Sequence, residues 1–141
     1  MRKASGLIRF GVSLERELLR RFDSFVKERN FPTRSEAIRA LIREKLVRKE
    51  WTTGREVAGA IILVYDHGRR EILNKITSAQ HEFHESVVST QHVHLDHDNC
   101  LEVVVVRGRP ASVHALYRGL QSIKGIKHIS LDTGTTGRGI P

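Results

Sequence analysis

An α+β architecture in two small units follows from three features of the 141-residue chain. Its hydrophobic period changes near residue 55, its excess positive charge lies wholly on one side of that point, and its histidines crowd the other. Residues 1–55 carry 15 Lys/Arg against 7 Asp/Glu, and residues 56–141 carry nine of each, so the whole net charge of +8 sits in the first part. Charge gathered in this way attracts polyanions by releasing their counterions, which makes nucleic acid the leading partner. With 39% hydrophobic and 28% charged residues, the composition suits a folded chain rather than a disordered one.

The first unit, residues 1–50, is expected to be strand–helix–helix. Leu7 to Ser13 alternates, with Ile8, Phe10 and Val12 on one side and Arg9, Gly11 and Ser13 on the other, the period of a short strand. Ser13 is the expected N-cap of a helix whose apolar face is Leu14, Leu18, Phe22, Phe25 and Val26. That helix should end near Arg29-Asn30. Thr33-Arg34-Ser35-Glu36 then reads as a capping box opening a second helix with Ile38, Leu41, Ile42 and Leu46 as its stripe. A lone short strand has nothing to pair with, and so few residues bury little core, so dimerisation is expected.

A polar stretch including Thr52-Thr53-Gly54 marks a linker over residues 51–56. Residues 57–132 then predict βαββαβ: a strand over Val57–Tyr65, a helix over Arg69–Phe83, and a hairpin of Ser86–Leu95 and Cys100–Arg107. A helix opened by Pro110 and stopped by Gly125 leads to a last strand over Ile126–Leu131. This order is that of a ferredoxin-like split fold. The Gly/Thr-rich tail, residues 133–141, is expected to be disordered.

No stretch approaches the ~18 apolar residues of a membrane span, so no membrane partner is expected. The single cysteine, Cys100, excludes an internal disulfide and points to a reducing cytoplasm.

In the first unit, dimerisation would pair two strands into a ribbon able to enter the major groove. Ile8, Phe10 and Val12 would then pack on the helices, leaving Arg9, Gly11 and Ser13 outward. Arg9 can bond guanine bidentately and Ser13 several base edges or a phosphate. The free amides at the second helix's N-terminus, near Arg34 and Ser35, suit a phosphate.

The segments LIRFGVSLERELLRRFDSF and RSEAIRALIREKL resemble the ribbon-helix-helix family of repressors, and more narrowly the nickel-responsive regulators. The resemblance implies that alternate strand residues, here Arg9, Gly11 and Ser13, face double-stranded operator DNA. One departure is Gly11, where the family usually carries a hydroxyl residue, so the operator sequence does not carry over.

Five of the eight histidines lie between His81 and His97, just before Cys100. His92 and His94, two apart on a strand, project from one face. If residues 94 and 100 pair across the hairpin, Cys100 joins them, giving two imidazoles and a thiol, with His81 on the preceding helix as a fourth donor from its own chain or another. Such donors suit zinc in a tetrahedron and Ni(II) or Cu(II) in a square plane. His67, His114 and His128 read as ordinary histidines.

QHEFHESVVSTQHVHLDHDNCLEVVVVRG is closely similar to the metal-binding stretch of the nickel-responsive regulators. The resemblance implies that His92, His94 and Cys100 are metal ligands and that His81 is supplied by a neighbouring subunit. It also implies an ACT-type regulatory domain, a homotetramer built as a dimer of dimers, one Ni(II) per subunit, and repression of nickel-uptake genes. Two rivals remain at this stage: a small-molecule effector at the ACT-type domain, and a metalloenzyme. Against the enzyme, no carboxylate is plainly placed as general base; Glu102, two residues beyond Cys100, is open as a site-facing group, a support behind a ligand, or a surface charge.

Overall fold

The computed structural model describes residues 6–141 and contains two compact units that divide between Leu41 and Ile42, within one helix. In the first unit, α1 runs Arg16–Glu28. Its expected cap Ser13 lies outside the helix; Glu15 occupies the N-cap position and makes no side-chain cap bond. Asn30 takes a left-handed φ of 56° and ends the helix, while the Phe31 amide closes back on the Val26 carbonyl at 3.0 Å. Asparagine tolerates this conformation, which satisfies a carbonyl the helix leaves open.

The helix α2 spans Arg34–Thr53. The Thr33 hydroxyl accepts from the Glu36 amide at 3.1 Å, one half of the expected capping box. The other half is not formed, because the Glu36 carboxylate takes Arg39 instead. Residues 7–13 form no strand in the single chain. Ile8, Phe10 and Val12 stand 88%, 71% and 60% exposed, an apolar edge that one chain alone cannot pair or cover.

In the second unit, the first half of the linker expected over residues 51–56 is helix. α2 continues to Thr53, with Trp51 buried in the core, and stops at Gly54, whose φ is +79°. There follow β1 (Val57–Asp66), α3 (Arg70–Glu82), β2 (Val87–His94), β3 (Asn99–Gly108), α4 (Pro110–Gln121) and β4 (His128–Thr133). The sheet order is β2-β3-β1-β4, antiparallel throughout, as the ferredoxin-like reading expects.

Alternation decides which sheet face is dry. Val57, Ile61, Leu63 and Tyr65 of β1 and Cys100, Val104 and Val106 of β3 are buried. They form one core with Ile72 and Ile76 of α3 and with Val113, Leu116 and Leu120 of α4. The strands close tightly at the β1–β4 border, where a Cβ on Gly59 would come 2.5 Å from the Asp132 carbonyl oxygen. The tail expected to be disordered instead lies along the C-terminal half of α2. There the Trp51 indole N–H donates to the Gly134 carbonyl at 2.8 Å and the Thr135 hydroxyl to Glu50 at 2.8 Å. The Gly134 carbonyl and the Thr135 hydroxyl find these partners because β4 delivers the chain beside the end of α2.

Candidate metal centre and nucleic-acid interface

The hairpin register puts His94 opposite Cys100 and His92 opposite Glu102. All four residues therefore share the face that carries Leu63 and Tyr65, which pair with Glu102 and Cys100 on the other side of β3. Cys100 is 1% exposed, while His92 keeps about half its side chain open, at 47%. The Cys100 Sγ lies 4.0 Å from the His92 Nδ1. A sulfur and two imidazoles thus sit at the mouth of the hairpin, the sulfur at the floor and the rings at the rim.

Glu102 is 2% exposed, so its carboxylate needs partners in a low-dielectric setting. It has them: the Tyr65 hydroxyl donates to Oε2 at 2.8 Å, the Gln80 amide donates to Oε1 at 2.8 Å, and the His92 Nε2 lies 3.4 Å from Oε1. Burial, and after it the hydrogen bond to Glu102, pushes the Tyr65 phenol well above its usual range, so it stays a donor. Glu102 therefore reaches one side of His92, while the thiol lies near the other ring nitrogen. It is a supporting group rather than a surface charge.

His81, in the last turn of α3, is exposed. Among the described residues, no three His, Cys, Asp or Glu side chains of a single chain converge as a complete metal cage. His67 meets His94 ring to edge at 4.6 Å between centroids, and its Nε2 lies 2.9 Å from the His97 carbonyl. Sequence reasoning left His67 aside because it follows β1 in a loop, where no period assigns a face. Tyr65 and Gln80 also went unmarked. Tyr65 did fall on the buried alternation of β1, and a phenol at the end of an apolar strand is a signal that it has a polar partner. The donors present, two imidazoles, a thiol and a buried carboxylate behind one imidazole, fit a borderline-soft transition-metal ion.

In the first unit Arg9, Gly11 and Ser13 are all exposed in non-helical backbone, and a Cβ added to Gly11 would meet nothing within 4 Å. Arg34 and Ser35 are exposed at the start of α2, where the first-turn amides have no helical partners. The Arg34 guanidinium is already engaged. It forms a fork with Asp23 at 2.8 and 2.9 Å, which holds the Asp23 carboxyl below its usual range.

A basic helix–helix unit preceded by an unpaired apolar-edged segment, joined to a βαββαβ domain with soft metal donors on its hairpin, defines a DNA-binding regulator with a ligand-sensing domain. Comparison with known proteins makes this specific. Residues 8–49 match the profile of the ribbon-helix-helix protein, copG family, and residues 58–133 match that of the NikR C terminal nickel binding domain. A relative from Syntrophus aciditrophicus, named "Putative nickel-responsive regulator", is 54% identical over 95% of this chain and 98% of its own. Relatives of the same name from Chlorobium phaeobacteroides and Solibacter usitatus are 50% and 52% identical, over 90% and 94% of this chain and 95% and 96% of theirs. A solved structure of an uncharacterized protein from Thermotoga maritima shares the fold, with a TM-score of 0.51 and 14% identity over 56% of this chain and 98% of that one. The chain belongs to the nickel-responsive regulator family.

Proposed function

We propose that the protein is a nickel-responsive transcriptional regulator that binds operator DNA through its first unit and Ni(II) through its second. The observation that carries the metal half is the hairpin register: His94 opposite Cys100, His92 two residues away, and 4.0 Å between sulfur and imidazole. Cys100, His92 and His94 are the ligands of one subunit, and the exposed His81 is the ligand given to a neighbour. One Ni(II) per subunit would be held by these nitrogen and sulfur donors and, when bound, would supply a centre that joins neighbouring subunits. Cys100 must give up its proton to serve, and the buried Glu102 steadies the His92 ring for it.

The site is shared, so it exists only in an assembly, a homotetramer of two dimers. In each dimer, residues 7–13 of two chains pair as a ribbon, burying Ile8, Phe10 and Val12. Arg9, Gly11 and Ser13 then face the major groove, and the α2 N-terminus at Arg34 and Ser35 grips a phosphate. Linkage requires that the metal and the operator each tighten the binding of the other. Two ribbon pairs docking on one DNA add avidity. No helix among the described residues is long and apolar enough to cross a membrane, and the cytoplasm is the proposed setting. The task is repression of nickel-uptake genes when nickel suffices, not catalysis. A small-molecule effector in place of metal is disfavoured, because the matched C-terminal family is described by nickel binding.

Gel-shift titration of operator DNA at fixed salt tests the proposal. Nickel should tighten binding by about 5-fold or more in the native chain and not at all in Cys100→Ala. Equal affinities with and without nickel would refute the sensing role.

A further inference from the structure

Residues 134–141 have no part in the metal or DNA sites, yet they are tied to α2 at three places. The Trp51 indole donates to the Gly134 carbonyl at 2.8 Å, the Thr135 hydroxyl to Glu50 Oε2 at 2.8 Å, and the Arg43 guanidinium to the Pro141 carbonyl at 2.9 Å. These donors and acceptors on α2 span residues 43 to 51, a little over two helical turns. Glu50 is only 8% exposed, an unusual place for a carboxylate, and the tail is what covers it: Gly139 packs so close that a Cβ there would lie 3.0 Å from Glu50 Oε1.

The tail's own conformation suits the role. Gly134 lies against β1, where a Cβ would come 2.9 Å from the Ala58 carbonyl oxygen. The Thr135 Oγ1 also accepts from the Gly137 amide at 3.0 Å, and Gly137 takes a φ of +81°, turning the chain back along the helix. Arg138 sits 3.9 Å from Glu56, and Ile140 lines a cavity of about 230 Å³ with Leu46 and Lys49. Each glycine stands where a side chain would clash or the backbone must turn.

We propose that residues 134–141 are a strap that fastens the C-terminal half of α2 to the sheet domain. Without it, the helix from Arg43 to Thr53 is held to the sheet domain chiefly by Trp51 and Val47 in the core. With it, the stretch that reads as a polar linker becomes part of the folded C-terminal unit. The strap is a conformational device. Binding or cleavage that lifts it frees half of α2 while leaving the sheet intact.

Amide hydrogen exchange followed by mass spectrometry, on the full chain and on two variants, tests this. In a chain ended after Thr133, amides of residues 46–53 should exchange more than tenfold faster, while those of β1 and β3 keep their native rates. Thr135→Val removes the hydroxyl that reaches Glu50 and holds the Gly137 amide, and should speed the same amides by about tenfold, the low end of what a hydrogen bond to a buried carboxylate contributes. If truncation loosens β1 and β3 as well, the Thr135→Val pattern decides. Unchanged exchange at residues 46–53 in that variant would overturn the strap. Native rates in both variants would do so too. These readouts need neither nickel nor DNA, so their failure is distinct from failure of the sensing role.

Discussion

Replacing Tyr65 by Phe removes one oxygen from the centre of the second unit and tests how the site is held. The ring stays, so the apolar packing against the core is nearly unchanged. The loss is one donor to the Glu102 carboxylate, whose Oε2 has the Tyr65 hydroxyl at 2.8 Å as its partner and whose side chain is 2% exposed. A hydrogen bond to a buried charged group contributes about 1.5–3 kcal/mol, and its acceptor left behind cannot turn to water. Tyr65→Phe should therefore lower unfolding stability by about 2 kcal/mol, some thirtyfold in the folding constant. Urea unfolding followed by circular dichroism, at one protein concentration, reads this as a lower midpoint with an unchanged slope. Gln80→Ala, which removes the donor to the other oxygen at 2.8 Å, should couple with it in a double-mutant cycle, because both bonds end on one carboxylate. A Tyr65→Phe loss below about 0.5 kcal/mol, the range of an ordinary surface change, would refute the view that the network is dry and interdependent.

Other consequences are as specific. Asp23→Asn releases the Arg34 fork, and the freed guanidinium should raise DNA affinity and steepen its salt dependence by about 0.9 per added phosphate contact, measured by gel shift across salt concentrations. Asp23 has its carboxyl pushed down by Arg34. The pair's contribution is thus complete above the ordinary aspartate value near ~4 and is lost as pH falls below it; thermal unfolding of Asp23→Asn should show less acid dependence in that window. Gly11→Ser meets open space and no unusual backbone angle, so thermal stability should hold while preference at one base step changes by about 1–3 kcal/mol on a panel of operators. Gly59→Ala would put a methyl 2.5 Å from the Asp132 carbonyl oxygen, and the forced backbone shift should cost about 1–3 kcal/mol in chemical unfolding.

Much of this was legible in the chain itself. Val57 to Tyr65 reads as a strand because it is a near-continuous apolar run; the two-residue spacing of His92 and His94 puts them on one face, and Cys100 joins them on the condition that residues 94 and 100 pair, which the register meets. Pro110, Gly125 and the Asp96-to-Asn99 turn punctuate the elements for steric reasons that act locally. What escaped is non-local. The polar run from Arg48 to Arg55 marks a boundary in the sequence, yet Trp51 buries itself in the core and the helix is carried with it. The Gly/Thr tail has the composition of a loose end, and only the position of β4 beside α2 gives it partners. Ser13 has the chemistry of a cap, but the helix starts at Arg16 behind Glu15. The strand over residues 7–13 is written in the sequence and unformed in one chain; the proposed dimer would supply its hydrogen-bonding partner.

The central claim is that one free energy links the metal site and the DNA site. It is tested most directly by measuring nickel affinity of the full chain with and without saturating operator DNA, alongside operator affinity with and without saturating nickel. The account predicts that the two ratios are equal and fall between about 5-fold and 150-fold, the usual range of coupling between distinct sites. Nickel affinity indifferent to operator DNA would contradict it.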